Sequence, residues 1–241
     1  NPIGGRVEGN VLQPEMHSFV GMYDVPQRHG LSFGELVSLY SGGACEVIPM
    51  TGYRRDMWYD DTGLPWIPPS PNMPTLTTAT IYPGMCLIEG TNLSEGRGTT
   101  TPFELVGAPF IDPFRFADAL NALDLAGVRF RPHVFKPMFQ KHAGSACGGV
   151  QIVVTDRGVL RPLRLGIAVL SVAFRLYPKD AAWRSEVYEF IGDRLAIDLL
   201  FGAPGIRERI EVGDDPNSIA DTFLNDEAAF VERRKRWLIH V

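Results

Sequence analysis

Cysteine is scarce: Cys45, Cys86 and Cys147 are scattered over 241 positions. So few thiols, so far apart, exclude a disulfide scaffold and the paired spacing of a zinc site. Each has small or apolar neighbours, which predicts buried free thiols, with one bridged pair left open. The five histidines show no HxxxH or HxH spacing, so no metal site is expected, and no cofactor motif is present. No apolar run reaches the ~18 residues of a membrane helix. "LRLGIAVLSVAF" (163–174) is too short and reads as a buried helix. No signal peptide is visible, but the first residues are "NPIGG" without a methionine, so a native start upstream is expected. Like charges form no block, the net charge is −5, and no basic stripe carries interleaved aromatics. Nucleic acid is therefore not an expected partner. The one dense basic run, "ERRKRW", reads as an exposed helix end, where cations suit the dipole.

What is present is enough apolar residue, 45% of the chain, for one large domain or two modest ones. Ser32 and Glu35 have capping-box spacing ahead of Leu36, Val37, Leu39 and Tyr40, which predicts a helix over 32–41 closed by Gly42 and Gly43. "CEVIPM" (45–50) reads as a short strand, and helix then strand suits the tail of an α/β domain. Residues 51–75 lack periodicity but hold Trp58 and Trp66 among five prolines, the texture of an ordered functional loop. A short helix over 74–82 is interrupted by Pro83 and Gly84. Asp112 and Pro113 start a helix that runs to Gly127, with Phe114, Phe116, Leu120 and Leu123 as its core stripe. "VRFRPHVFKPMF" and "GGVQIVVTD" alternate like strands. Helices follow at 162–177, 192–201, 204–211 and 217–237. The fold class read from this order is α/β plus α+β: residues 1–105 belong to the first domain and 106–241 to the second.

"EGTNLSEGRGTTTPFE" (89–104) gathers Glu89, Glu95, Arg97 and Glu104 among three glycines. The glycines allow a close approach of backbone to ligand. The stretch lacks the third glycine of a dinucleotide fingerprint and the Gly-Lys-Ser/Thr ending of a phosphate loop. Its polar content suits a sugar: Asn92, Ser94, Thr99 and Thr100 can satisfy hydroxyls, and Arg97 can fork onto a carboxylate. Glu89 and Glu95 supply the paired carboxylates of glycoside hydrolysis, with retention or inversion left open. Glutamates in polar loops are also commonly caps or solvated charges.

"TNLSEGRGTTTPFELVGAPF" resembles the signature of the bacterial exo-β-N-acetylmuramidases, long catalogued as a domain of unknown function. Residues 1–37, "DTGLPWIPPSPNMPT", "YPGMCLIEGTN", "GVRFRPHVFKP" and "CGGVQIVVTDR" resemble that family's blocks in its order, so the likeness covers essentially the whole chain. It implies a glycoside hydrolase that removes N-acetylmuramic acid from the non-reducing ends of peptidoglycan fragments. It also implies a Rossmann-like N-terminal domain, an accessory C-terminal domain and a cleft between them. Muramyl-containing peptidoglycan fragments become the expected partner, with Arg97 facing the lactyl carboxylate, and a secreted, periplasmic or cell-envelope location follows. Family members run substantially longer at the N-terminus, where a Glu-His-Gly block carries a glutamate proposed as catalytic. The absent part predicts an exposed sheet edge, apolar helix faces, and a need for that segment or a second copy of the chain.

Other residues divide between ligand and packing roles. His29 can orient a carboxylate or a sugar hydroxyl, or serve as a helix-entry residue. Asn72 is held among prolines, as a ligand contact or a turn. Trp58 and Trp66 can stack on a sugar or fill a core. His133 and Phe135 read as strand packing. A non-catalytic peptidoglycan-binding module and a structural subunit remain alternatives to the enzyme. Ser94 lacks a GxSxG setting and Cys147 a paired histidine, against a serine or cysteine nucleophile.

Overall fold

In a computed structural model, residues 2–240 are described. Asn1 and Val241, the outer ends of the two expected domains, lie outside them. The architecture is mixed α/β, with a small antiparallel sheet of order β1-β3-β2 (β1 Leu105–Ala108, β2 Val128–Phe135, β3 Cys147–Val154). Register sets Val106 opposite Val150, Phe130 opposite Ile152 and Val128 opposite Val154. These pairs put one apolar face toward the core. On it lies α3 (Pro113–Asn121), then α4 (Pro162–Leu176), then α2 (Leu76–Met85). Phe116, Leu120, Ile152, Ile167 and Leu170 are buried in this cluster.

Two helices cross with almost no side chain between them. A Cβ on Gly84 of α2 would lie 1.6 Å from the Pro162 carbonyl oxygen, and one on Gly166 of α4 would lie 2.2 Å from the Gly84 carbonyl oxygen. Glycine at both positions is what allows the backbones to touch. Helix α2 continues through Pro83 to Met85, beyond the break expected there. A 3₁₀ turn, Cys86–Gly90, then delivers the polar motif.

The N-terminal segment and the chain's other end share a second cluster, in which Val7, Leu31, Leu39 and Phe230 are buried. Helix α1 (Phe33–Ser41) has the expected box: the Ser32 hydroxyl accepts from the Glu35 N–H, and the Glu35 carboxylate accepts from the Ser32 N–H. Gly42 closes it with φ +63°. Helix α8 (Leu224–Arg234) packs beside it, after α5 (Ala196–Phe201), α6 (Ile206–Glu211) and α7 (Pro216–Asp221).

Several expectations are corrected. Residues 45–50 form no strand, because no neighbouring strand lies beside them among the described residues. Cys45 is an exposed thiol, whereas Cys147 is buried; all three cysteines are free. Helix α3 stops at Asn121, whose side-chain amide bonds both the N–H and the C=O of Phe130 and turns the chain into β2. Phe114 is 69% exposed, outside the core stripe. The long helix expected at 217–237 breaks into α7 and α8. Arg234 in the basic run is buried, donating to the His29 and Gly5 carbonyls. Strand β1 was not anticipated, being four residues long with a central glycine.

Candidate functional site

The polar motif folds against the open edge of β1. Ser94 and Gly107 exchange backbone hydrogen bonds of 2.8 and 3.1 Å, so the loop extends the sheet by one residue. Gly96 and Gly98 adopt φ of +75° and +82°, which reverses the chain around Arg97.

The charged side chains form an alternating ladder. Arg97 Nη2 donates to Glu89 Oε1 at 2.7 Å. Its Nε lies 3.1 Å from Glu95 Oε1, and Lys141 Nζ lies 3.0 Å from Glu95 Oε2. Two acids and two bases leave the ladder formally neutral. Glu95 is buried, whereas the Glu89 side chain keeps 16% of its surface in contact with solvent. Burial pushes the Glu89 carboxyl above its ordinary pKa, with Arg97 pulling the other way. Burial likewise lowers the Lys141 ammonium, against the attraction of Glu95. For Arg97 burial favours the neutral form, but Glu89 beside it outweighs this and raises its pKa. The Arg97 guanidinium also stands 5.2 Å from the centre of the Phe103 ring.

Lys141 was not singled out in the sequence. It donates to the Ile88 and Leu93 carbonyls at 2.9 and 3.0 Å, His142 Nε2 lies 2.7 Å from the Asn92 carbonyl oxygen, and the Met138 N–H bonds the Gly98 carbonyl at 3.0 Å. A lone lysine in "MFQKHAG" carries no local signal of these partners, which lie about fifty residues earlier. Backbone geometry marks the same place. Phe103, Gln140 and His142 have φ of 65°, 67° and 58° without being glycine. Such backbone persists where the surroundings over-determine it, and it clusters at functional sites.

The remaining candidates of the motif hold the loop. The Asn92 amide spans the Asp180 C=O and the Ala182 N–H. The Ser94 hydroxyl accepts from the Gly96 N–H, and the Thr99 hydroxyl donates to the Gly96 C=O at 2.6 Å. Thr100 is exposed. Glu104 turns away and accepts from the hydroxyls of Thr75 and Thr78 at the start of α2.

The structure does not bring His29 and Asn72 into this group. His29 Nδ1 accepts the Leu31 N–H at 3.1 Å. Burial first, and then neighbouring positive charge, lowers its pKa to about 4. It borders a cavity of about 270 Å³ with Asn10, Gln27 and Phe201. Asn72 is half-buried in a turn where its N–H bonds the Ser70 hydroxyl. Trp66 packs edge-on to Tyr59 and donates to the Met73 C=O, lining an apolar groove of about 430 Å³. The guanidinium groups of Arg28 and Arg157 stand 5.8 and 4.6 Å from the centre of the Trp58 ring. Glu89, Glu95 and Arg97 line neither cavity. The Cys86 thiol, pushed up to about 12 by burial, is no nucleophile.

The C-terminal model of the exo-beta-N-acetylmuramidase NamZ family matches residues 80–240, and the N-terminal model of that family matches residues 1–77. The chain belongs to the NamZ family. Over its whole length it is 43% identical to the peptidoglycan beta-N-acetylmuramidase NamZ of Bacillus subtilis, of which it spans 58%. Two crystal structures of DUF1343 family proteins from Bacteroides fragilis are similar over the whole chain. They have TM-scores of 0.85 and 0.71 and identities of 29% and 25%, and the chain spans 64% of each. The sequence match takes in both NamZ models, and the fold match is to the two DUF1343 family structures. Within the described residues no helix is long and apolar enough to cross a membrane.

Proposed function

We propose that this chain is the larger part of a glycoside hydrolase that releases N-acetylmuramic acid from the non-reducing ends of peptidoglycan fragments. The Bacillus subtilis relative supports the reaction class. One observation carries the reading to a residue. The Glu89 carboxyl is half-buried, holds Arg97 through one oxygen, and has its pKa raised by burial. A carboxyl whose pKa is raised above its ordinary value suits a general acid for a leaving sugar oxygen. In this proposal Glu89 gives its proton to that oxygen as the C1–O bond breaks, and a water oxygen adds at C1. The proton the water sheds passes through solvent to restore the Glu89 carboxyl. Glu95 and Lys141 fix Arg97, whose remaining nitrogen, Nη1, faces the lactyl carboxylate. Asn92, Ser94, Thr99 and Thr100 shape the loop around the sugar, with His29 and Asn72 as outlying contacts. The Rossmann-like domain belongs to the same proposal, α1 and residues 45–50 being its last elements. So do turnover of muropeptides and a place of action in the cell envelope or outside the cell.

The test uses a muramyl-glucosamine disaccharide, with this chain alone and joined to the family segment that it does not span. Release of muramic acid by the joined protein, and its loss in Glu89→Gln with unchanged folding, is the expected result. A second reading, a non-catalytic module that binds such fragments, is favoured by the closed ion-pair ladder around Glu95. Binding of the disaccharide without any release by the joined protein would establish it instead.

A further inference from the structure

We infer that Tyr82 and Tyr188 contact the sugar at Glu89, their hydroxyls donating to its oxygens; this rests on the reading that places the scissile bond at Glu89. Both tyrosines reach the charged ladder from outside the polar motif. Tyr82 lies on α2, and its ring meets Phe103 edge-on with centroids 4.9 Å apart. The same Phe103 ring stands 5.2 Å from the Arg97 guanidinium, which holds Glu89 at 2.7 Å. Tyr188 arrives from far along the chain. The Arg184 N–H bonds the C=O of Gly90, the residue after Glu89, at 2.9 Å. Its guanidinium stands 5.0 Å from the centre of the Tyr188 ring. Tyr188 also packs with Ala196 and Leu199 of α5, the helix whose backbone abuts Gly90: a Cβ there would lie 2.9 Å from Ile197 Cα. A two-residue turn, Glu189 and Phe190 at φ of +48° and +69°, fixes the ring's place. Across it Tyr188 and Ile191 exchange backbone bonds of 3.1 and 2.9 Å.

Among the described residues neither hydroxyl has a protein hydrogen-bond partner, although Tyr188 is only 5% exposed. A tyrosine that deep usually finds one. Tyr177 shows the usual case: its oxygen accepts the Asp112 N–H at 3.0 Å and donates to the Asp112 C=O at 3.3 Å. The oxygens of Tyr82 and Tyr188 instead keep contact with solvent. Glu89 Oε2 does the same, since Arg97 takes only Oε1. Burial first, and then negative charge that includes that of Glu89, pushes the pKa of both hydroxyls up. Each therefore remains an O–H donor at any working pH. Two permanent donors beside an acid suit a neutral, oxygen-rich ligand. A pyranoside offers acceptor oxygens to the hydroxyls and an apolar face to the rings.

Removing one oxygen at a time tests this in the joined protein of the release assay. Tyr82→Phe and Tyr188→Phe keep the rings and their packing. Each should leave Tm unchanged, because no protein hydrogen bond is lost. Each should lower kcat/KM for the muramyl-glucosamine disaccharide by roughly tenfold or more, and weaken calorimetric binding of its uncleavable thio-linked analogue by a similar factor. Tyr177→Phe is the contrast: it should lower Tm and leave kcat/KM alone. Unchanged kcat/KM and affinity overturn the inference for that tyrosine, while an inactive Glu89→Gln protein leaves the reading of Glu89 standing. If Glu89→Gln still releases muramic acid, that reading fails instead and the analogue decides the tyrosines. Weaker binding in the phenylalanine variants then upholds the contact, and equal or absent binding removes it. A fall in Tm that accounts for the lost activity would assign the hydroxyls to the fold and overturn the inference.

Discussion

Glu8 caps the helix that begins with Pro162 and Leu163. Its Oε1 accepts the Leu163 N–H at 2.9 Å and the Arg164 N–H at 3.2 Å, across 155 residues of sequence. Arg28 and Arg161 approach the same carboxylate at 3.9 and 3.7 Å. Arg161 then grips both oxygens of Glu227 at 2.7 Å, so one buried network ties the N-terminal segment to α4 and α8. Burial raises the Glu8 pKa and lowers that of Arg28 to about 10, the mark of charges held out of water. Removing one partner strands the other. Glu8→Ala should cost about 3–5 kcal/mol in urea unfolding, and adding Arg28→Met should recover part of that loss.

Glu35 makes stability depend on acid. Burial pushes its pKa up, but hydrogen bonds from Arg55 and from the backbone of Ser32, Ile239 and His240 outweigh this and bring it down to about 2. With a folded pKa below the unfolded value of 4.5, the stabilisation is full above 4.5 and is lost as pH falls toward 2. A shift of that size corresponds to about 3 kcal/mol. Glu35→Gln should lower stability by roughly that amount at pH 7 and flatten the acid limb of a Tm-against-pH profile. Glu89 has the opposite sign: its raised pKa makes stability fall as pH rises above 4.5. Glu89→Gln should therefore leave stability at neutral pH unchanged or higher.

Lys141→Met should loosen the polar loop without unfolding the core. The ammonium satisfies two carbonyls and Glu95, so its loss leaves a buried acid with one cation less. A cost of about 2–4 kcal/mol is expected, along with proteolytic cleavage within 88–98 at protease levels that spare the parent chain. An unchanged cleavage pattern would show that the lysine does not hold the loop.

Local chemistry made some of this legible from sequence. Ser32 with Glu35 and Asp112 with Pro113 announced helix starts because a cap acts within one turn. Gly96 and Gly98 read as positions of backbone freedom, and they take φ of +75° and +82°. The long-range pairings were not legible. Nothing near Glu95 announces Lys141, and nothing near Glu8 announces Leu163, since each partner arrives through the fold. Residues 45–50 show the reverse case: their composition favours a strand, but a strand needs a neighbour. The site candidates divided on the same principle, the loop residues converging and His29 and Asn72 remaining apart.

Gly98 and Gly144 offer a controlled comparison, since both have positive φ, +82° and +77°. A Cβ at Gly144 would meet nothing within 4 Å. At Gly98 it would stand 2.7 Å from the backbone N and O of Phe139 and 2.8 Å from the Met138 N. Gly144→Ala should therefore cost only the conformational strain, about 1 kcal/mol. Gly98→Ala adds a steric conflict that no rotamer relieves, because the opposing atoms are backbone. It also displaces the Met138 N–H from the Gly98 carbonyl, for a total of about 3–4 kcal/mol. Urea midpoints with unchanged m-values would separate the two variants. Equal losses would mean that the loop at 138–142 does not press on the polar motif, and the ladder from Glu89 to Lys141 would lose its closing contact.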